Sequence, residues 1–309
     1  MPHVGLTVLG SGGVIPTNER LTSSFLIYDW RGYTILLDAG EGVQINLHKA
    51  PKSVHDIDLI LITHEHGDHI NGLAGLLQSM AVTRRESPLT IGGPPSVIEF
   101  SKETLEATSK RLGFEVNYLV LENEGSLTVN KAGGDKLIVT WAPACHTQGS
   151  LAYRLEWILR PRINMEKLKE IGVRPGPWLT ELFERRTVII DDKIVSLDSI
   201  STPGKVVSIT YTGDTAPCAS IIDLAKGSTL LIHDSTYSSE LEGEAIARGH
   251  STAEHAALVA QEATVENLLL FHVSPRYRGY EAWKLYREAR RVFPKTMLAW
   301  DLMNIRISF

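Results

Sequence analysis

Short runs of apolar residues, each closed by turn residues, predict strands along the first part of the chain. Three runs occupy residues 6–9, 24–28 and 34–38, and they end in glycine-rich or acidic turns. A fourth run, residues 57–62, is apolar at nearly every position and indicates a buried strand. Helical periodicity follows near residues 70–82 and 95–112.

The same order of elements returns in the second half of the chain. Strands are predicted from about residue 137 to 154, at 206–211 and at 229–232, and helices follow them. Strands followed by helices, twice, favour two sheet-and-helix halves packed face to face. We therefore expect an α/β fold with four layers, an αββα sandwich, formed by a single domain over residues 1–309.

Residues 156–204 depart from this rhythm. They carry charge, two proline-glycine signals and a short helical piece at 164–172, which the segment Pro175-Gly176-Pro177 interrupts. Such a segment between two core strands indicates either an excursion from the domain or an ordinary helical connection. The residue pattern alone leaves both interpretations open.

Composition is ordinary for a soluble globular protein, with 309 residues, 43% hydrophobic and 22% charged. No apolar stretch approaches the roughly 20 residues of a membrane span. The first residues lack a basic signal-peptide start, so a cytoplasmic protein is expected. Of the two cysteines, Cys145 and Cys218, we expect two free, buried thiols.

A net charge of −5 excludes a uniformly basic nucleic-acid binder. A polyanion would have to be held by local patches. The candidate arginines are Arg84-Arg85, Arg160 with Arg162, Arg185-Arg186, Arg276 with Arg278, and Arg287 with Arg290-Arg291.

A dense group of metal-binding residue types lies between the strand at 57–62 and the next helix. His64, His66, Asp68 and His69 stand within six residues. One tetrahedral ion cannot use all four, so two adjacent metals are the economical interpretation. A polar loop with incidental histidines is the alternative, and clustered imidazoles that repel when protonated disfavour it.

Three further ligand candidates follow predicted strands: His146, Asp214 and His272. A carboxylate such as Asp214 can bridge two ions, because each of its oxygens can bind one. A donor set of imidazole and carboxylate groups without thiolate suits two Zn²⁺ ions per chain, and Mn²⁺, Fe²⁺ or Co²⁺ are the alternatives. Two ions could clamp the attacking and leaving oxygens of a phosphoryl displacement.

His250 indicates a different function. Ser251 and Glu254 match a capping box, so a helix is expected to start just after His250, with its positive end near a phosphate. His250 could then protonate a departing alkoxide, with Asp234 holding the imidazole. A purely structural histidine is the alternative.

These motifs together resemble the ribonuclease Z family, in its short form, of the metallo-β-lactamase fold. The resemblance runs nearly from end to end of the chain. Its motifs are Leu9–Thr17 with Ser23-Ser24, Leu37–Gln44, the loop His64–His69, Tyr211–Thr215, His250-Ser251-Thr252, His272–Tyr277 and Trp300–Ile305.

The resemblance implies a zinc-dependent endoribonuclease that removes the 3′ trailer of precursor tRNA and leaves a tRNA 3′-hydroxyl. It implies His64, His66 and His146 on one zinc, Asp68, His69 and His272 on the other, and Asp214 shared. Asp38 would support the site, Asp68 would orient a bridging hydroxide and accept its proton, and His250 would act at the leaving oxygen.

The resemblance also implies how substrate is held. Residues 156–204 would be a flexible tRNA-binding arm, and the arm of one subunit of a homodimer would grip the tRNA cut by the other. Substrate contacts are expected at Ser251, Thr252, Ser274, Arg276, Gly176 and Pro177. Local phosphate contacts would then allow an acidic chain to bind RNA.

Two departures and three alternatives accompany this hypothesis. The family usually has glutamate where this chain has Asp234, and an Arg-Asn pair where it has Arg20-Leu21. The same metals could serve a small-molecule phosphodiesterase or arylsulfatase-like hydrolase. A non-catalytic RNA-binding subunit is a second alternative, and lactamase or thioesterase activity is a weaker third.

Overall fold

Two seven-stranded sheets form the centre of the molecule. This computed structural model describes residues 2–108, 112–130 and 134–309. From edge to edge the first sheet contains β18 (Asn304–Ser308), β1 (His3–Gly10), β2 (Ser24–Asp29), β3 (Thr34–Leu37), β4 (Ile57–Leu61), β5 (Leu89–Gly93) and β6 (Val116–Val120). The second contains β17 (Thr296–Leu298), β16 (Leu268–Phe271), β15 (Leu230–Asp234), β14 (Val206–Tyr211), β9 (Leu151–Ile158), β8 (Lys136–Pro143) and β7 (Gly125–Asn130).

Helices follow the strands in each half. In the first half they are α1 (Val43–Leu47), α2 (Gly67–Ile70), α3 (Gly72–Val82) and α4 (Pro95–Thr108). In the second half they are α8 (Ala219–Ala225), α9 (Glu242–Ala247), α10 (Ala253–Glu262) and α11 (Ala282–Val292), with 3-10 turns at Ser239–Leu241 and Gly279–Glu281. The predicted helices near 70–82 and 95–112 are confirmed as α3 and α4, although residues 109–111 lie outside the described ranges.

Strand β4 shows why the sequence forms layers. Leu59 and Leu61 pack in the core between the sheets, whereas Ile60 and Ile62 join the core under the helices of the first half. Successive side chains of a strand point to opposite faces, so a strand that is covered on both sides needs apolar residues throughout. A third core lies under α8, α10 and α11. The predicted α/β fold with two packed sheets between helices is confirmed.

Between Ile158 and Val206 the chain leaves the second sheet and forms a small unit, which we call the arm. Its elements are β10 (Arg162–Ile163), α5 (Met165–Glu170), α6 (Trp178–Arg185), β11 (Thr187–Ile190), β12 (Lys193–Ser196), α7 (Leu197–Ile200) and β13 (Ser201–Thr202). The arm has its own apolar core of Leu168, Val173, Leu182, Val188, Val195, Leu197 and Ile200. Its two ends meet where the Leu159 amide donates to the Lys205 carbonyl at 3.0 Å.

The cysteine prediction is only partly right. Both thiols are free, but Cys145 is exposed and Cys218 is partly exposed, so the expectation of buried thiols is wrong. Cys145 lies in the loop that follows β8, and Cys218 is the N-cap of α8, where it packs partly buried against the core under that helix. Among the described residues, no helix has the length and apolar character needed to cross a membrane.

Candidate metal centre

The loop after β4 holds His64, His66, Asp68 and His69 at the C-terminal end of that inner strand. His66 is the N-cap of α2, so the chain turns into a helix in the middle of this loop. His64 and His69 are fully buried. Thr63 Oγ1 donates to Asp38 and lies 3.0 Å from His64 Nδ1. A hydroxyl with its proton already engaged must accept from Nδ1–H, which leaves the lone pair of His64 on Nε2.

His64 and His66 come together with His146 and Asp214. One nitrogen or oxygen atom from each of the four lies within 4.8 Å of the others. His146 Nδ1 donates to the Gly249 carbonyl at 2.9 Å, which leaves Nε2 directed at the group. This arrangement matches the first ligand set that the family resemblance implies.

Asp68, His69, Asp214 and His272 form a second group of the same size. His69 Nε2 lies 3.2 Å from Asp214 Oδ1, and His272 Nε2 lies 3.0 Å from Asp68 Oδ2. Asp214 belongs to both groups, as expected for a bridging carboxylate. The structure therefore brings all seven ligand candidates together, from loops of both sheets.

The position of Asp214 depends on the glycine before it. Gly213 has φ of +58°, a left-handed conformation that glycine adopts without steric cost. A Cβ atom there would stand 2.8 Å from the side chain of Thr63. The turn after β14 therefore passes closer to the histidine loop than any other residue would allow.

The donor atoms fit a pair of metal ions. His64 Nε2, His69 Nε2 and Asp214 Oδ1 are buried and make no hydrogen bond to any of the described residues. Unsatisfied buried polar atoms are rare, and a bound ion is one of their ordinary explanations. Burial holds the pKa of His64 well below its usual value, so its imidazole is neutral, as a metal ligand must be. The mixed nitrogen and oxygen donor set suits zinc.

Asp38 supports the second group from below. Its Oδ2 lies 2.6 Å from His69 Nδ1 and accepts a hydrogen bond from Tyr211 Oη at 2.6 Å. Its Oδ1 accepts from the Thr63 amide at 2.7 Å. A carboxylate on Nδ1 directs the other nitrogen of His69 toward the ligand group.

His250 contacts Asp234 directly beside this centre. Their Nδ1 and Oδ2 atoms are 2.8 Å apart, so no water is needed to span the shorter aspartate side chain. Burial lowers the pKa of His250, but the charge of Asp234 and its hydrogen bond more than offset this and raise it to about 9. Burial raises the pKa of Asp234, and the charge of His250 outweighs that and leaves it below its usual value. The pair is thus an ionised dyad at neutral pH.

The predicted capping box is wrong by one residue. Helix α10 begins at Ala253, and Thr252 rather than Ser251 is its N-cap, with His255 as the reciprocal partner. The Ser251 hydroxyl donates instead to the Thr215 carbonyl at 2.7 Å, which fixes the loop beside Asp214. Ser251 and Thr252 are both buried, and each hydroxyl is bonded within the protein.

The other expected substrate contacts are spread over a wider area. Ser274 is buried and lines a cleft of about 290 Å³ beside the ligand group, opposite the loop 15–20. Arg276 is paired with Glu244 and lies over the ring of Tyr237. Gly176 and Pro177 lie in the arm, which joins β14 at the end opposite Asp214. The six residues of that strand put about 20 Å between the two ends.

The departure at Arg20-Leu21 lies in the loop next to the centre. Arg20 is buried over the Trp300 ring and donates to Ser11 Oγ and the Ala299 carbonyl, both at 2.6 Å. Burial lowers the pKa of Arg20 to about 10. This arginine therefore holds its loop against the C-terminal segment, and it also lines the cleft beside Ser274.

For three contributors to the site the sequence indicated no contact or role, although Val14 and Tyr211 lie within the motifs of the family resemblance. The Val14 amide donates to Asp68 Oδ2 at 2.6 Å, across 54 residues of chain. Tyr211 reaches Asp38, and the hydroxyl of Thr236 lies between Asp234 and His272. Each is a contact through space, so spacing along the chain could not indicate it.

Comparison with known proteins assigns the chain to a family. A family model described as Anti-Pycsar protein Apyc1 matches residues 4–120, which is less than half of the chain. Curated relatives named Ribonuclease Z include one from Aeropyrum pernix, 48% identical over 309 residues and covering 100% of both chains. Another, from Methanothermobacter thermautotrophicus, is 39% identical over 303 residues, with 98% of this chain and 96% of the relative covered.

Solved structures agree on the fold. Human tRNase Z, short form, superposes with a TM-score of 0.70 at 23% identity, covering 99% of this chain and 100% of that one. The metallo-beta-lactamase fold protein YhfI from Bacillus subtilis gives 0.69 at 20% identity, with 99% and 100% covered. The curated relatives decide the family, because they match essentially the whole chain at 48% and 39% identity. The chain belongs to the ribonuclease Z family of metallo-β-lactamase-fold endoribonucleases.

Proposed function

We propose that this chain is a metal-dependent endoribonuclease that removes the 3′ trailer of precursor tRNA and leaves a 3′-hydroxyl on the tRNA. Membership of the ribonuclease Z family supports the substrate and the reaction. The single structural observation that carries the proposal is a pair of ligand groups that share Asp214, with the His250–Asp234 dyad beside them. A binding subunit without catalysis would not need that dyad.

The metals would be held by residues from both sheets. One ion would be held by His64, His66, His146 and Asp214, and the other by Asp68, His69, His272 and Asp214. When bound, two such ions would lower the pKa of a water nucleophile to near neutrality and stabilise the charge that develops on the phosphate. Zinc is the ion that this donor set favours.

Asp68 would take the proton of the attacking water. The Val14 amide at 2.6 Å and His272 Nε2 at 3.0 Å both contact its Oδ2, which fixes the carboxylate group. Burial alone would raise the pKa of Asp68, but the imidazoles of His272 and His69 beside it lower that pKa. The group is ionised at neutral pH and can act as a proton acceptor.

His250 would donate a proton to the leaving oxygen. Its Nδ1 is bonded to Asp234, so Nε2–H is the remaining donor. Because the pKa of His250 is raised to about 9, the imidazolium predominates at pH 7. Transfer of this proton to the leaving 3′-oxygen would produce the tRNA 3′-hydroxyl directly.

The test is cleavage of a 3′-extended precursor tRNA, with the new 3′ end mapped at nucleotide resolution. Zinc-loaded wild-type protein should cut at the start of the trailer. His66→Ala should abolish cleavage, His250→Gln should slow it about 10²- to 10⁴-fold, and the exposed control His48→Ala should leave it unchanged. A precursor that stays intact with zinc-loaded wild-type protein would refute the proposal. Turnover of a small nitrophenyl phosphodiester without any cleavage of tRNA would favour the small-molecule hydrolase.

We also infer a homodimer in which the arm of one subunit holds the tRNA cut by the other. The support is the attachment of the arm about 20 Å from Asp214, at the far end of β14. Mixing His66→Ala subunits with subunits that lack the arm should restore cleavage, because each supplies what the other lacks. If subunit exchange is demonstrated and activity is not restored, the arm acts within its own chain or not at all.

A further inference from the structure

The hydroxyl of Thr236 lies between the proton-donating dyad and one of the ligand groups. Its Oγ1 is 2.6 Å from Asp234 Oδ1 and 2.7 Å from His272 Nδ1. The side chain is 1% exposed, so water cannot substitute for either contact. The family assignment does not by itself give this residue a task.

Counting protons determines the direction of both hydrogen bonds. A threonine hydroxyl has one proton to donate, whereas an ionised carboxylate only accepts. Asp234 Oδ1 also accepts from the Thr236 amide at 2.8 Å, and its Oδ2 accepts from His250 and from the Thr215 amide. If the hydroxyl proton pointed to His272, two bare oxygens would face each other at 2.6 Å.

The proton of Thr236 therefore goes to Asp234, and the hydroxyl oxygen must accept from His272. That bond requires His272 to carry its proton on Nδ1. Its Nε2 then holds a lone pair, and this atom lies 3.0 Å from Asp68 Oδ2 and 3.3 Å from Asp214 Oδ2, inside the second ligand group. Only this tautomer can bind a metal there.

The backbone conformation of His272 increases the need for a contact that holds its ring in one orientation. Its φ is +59°, a left-handed conformation that non-glycine residues adopt rarely and at a cost. In this conformation the side chain stacks on the ring of His250 at a centroid distance of 5.2 Å. A ring that is not held at Nδ1 could instead place a proton on Nε2 and donate it to Asp68.

We propose that Thr236 is a positioning residue that sets the tautomer of His272, so that Asp234 orients both the proton donor His250 and a metal ligand. The inference rests on the metal pair of the proposed function. It adds that the two carboxylate oxygens of Asp234 have separate tasks: Oδ2 holds His250, and Oδ1 acts on His272 through one hydroxyl.

Zinc binding without any RNA tests this inference. Competition with a chromophoric chelator should show two ions on the wild-type chain. Thr236→Val keeps the shape and removes the hydroxyl, and it should weaken one of the two sites about 10- to 100-fold while the other is unchanged. Thr236→Ser should restore affinity. Thr210→Val removes a buried hydroxyl that bonds Ser228 away from the site, and it should bind both ions like wild type.

Two results would contradict the inference or the metal centre on which it rests. If Thr236→Val binds two ions with wild-type affinity, or weakens both sites equally while still folded, the inference is wrong. If the wild-type chain itself fails to bind two ions, the proposed metal centre fails before Thr236 is tested.

A direct reading of the tautomer covers the case in which Thr236→Val does not fold. Nitrogen-15 NMR of the zinc-loaded wild type should show an exchange-protected proton on Nδ1 of His272. The same signal should be present in Thr210→Val. A proton on Nε2 of His272, or an Nδ1 without one, would overturn the inference.

Discussion

Replacing Asp234 with asparagine should separate the charge of the dyad from its shape. Burial alone would lower the pKa of His250 below 6.5, whereas the neighbouring carboxylates, Asp234 first, raise it to about 9. This shift is worth roughly 3 kcal/mol in favour of the imidazolium. Without the carboxylate, His250 should lose its proton below pH 7, and at pH 8 the protonated fraction should fall roughly 100-fold.

The assay is kcat/KM on precursor tRNA between pH 6 and pH 9.5, with zinc content measured for each variant. Because the folded pKa of His250 is raised, wild-type activity should persist as pH rises and decline near pH 9. In Asp234→Asn the decline should begin about three pH units lower, so the deficit should be about 100-fold at pH 8 and far smaller at pH 6. Asp234→Glu keeps the charge and should keep the wild-type profile.

An equal loss at every pH in Asp234→Asn would refute this reasoning. It would indicate that Asp234 matters only for local structure or zinc content. A wild-type profile in Asp234→Asn, with cleavage still dependent on His250, would show that another group charges the imidazole.

Three further predictions concern the arm and the support of the centre. Excision of residues 161–203, with a short glycine link between Arg160 and Gly204 next to the Leu159–Lys205 hydrogen bond, should reduce kcat/KM on precursor tRNA more than tenfold and spare a nitrophenyl phosphodiester. Equal loss of both activities would count against the arm as a tRNA-binding element. Tyr211→Phe removes a bond to the Asp38 carboxylate and should cost about 1.5–3 kcal/mol in urea unfolding, whereas Tyr153→Phe removes a bond to a carbonyl and should cost about 1 kcal/mol. The reverse order would show that the bond from Tyr211 to Asp38 is no stronger than a bond to a backbone carbonyl. Gly213→Ala should lower zinc affinity and stability, because its Cβ would meet Thr63 at 2.8 Å, and unchanged zinc affinity would show that the turn can relax.

Apolar periodicity predicted the two halves of the fold, and residue chemistry selected the ligand candidates that the fold brings together. These candidates follow strands, and the ends of neighbouring strands meet at one edge of a sheet. The seven ligand candidates therefore converge as expected, and some of their neighbours in sequence also meet, since the Cys145 amide donates to Thr215 Oγ1 at 3.0 Å.

Local rules failed where tertiary contacts decided between near-equal choices. Ser251 and Thr252 are both good N-caps, and the bond from Ser251 to the Thr215 carbonyl selects Thr252. Cys145 follows an apolar strand, yet it lies on an exposed loop. Thr236 and the Val14 amide act across distances that no spacing rule covers.

The ligand groups take side chains from both sheets, so metal binding would serve both catalysis and the stability of the fold. His64 and His69 follow a strand of one sheet, while Asp214 and His272 follow strands of the other. Any ion bound among them is a cross-link between the two halves, and its binding energy adds to the resistance to unfolding. Free zinc at 100 times its dissociation constant would add about 2.7 kcal/mol per site. In a cell that is starved of zinc, the chain should become heat-sensitive and open to proteases at the same time as it stops cutting RNA.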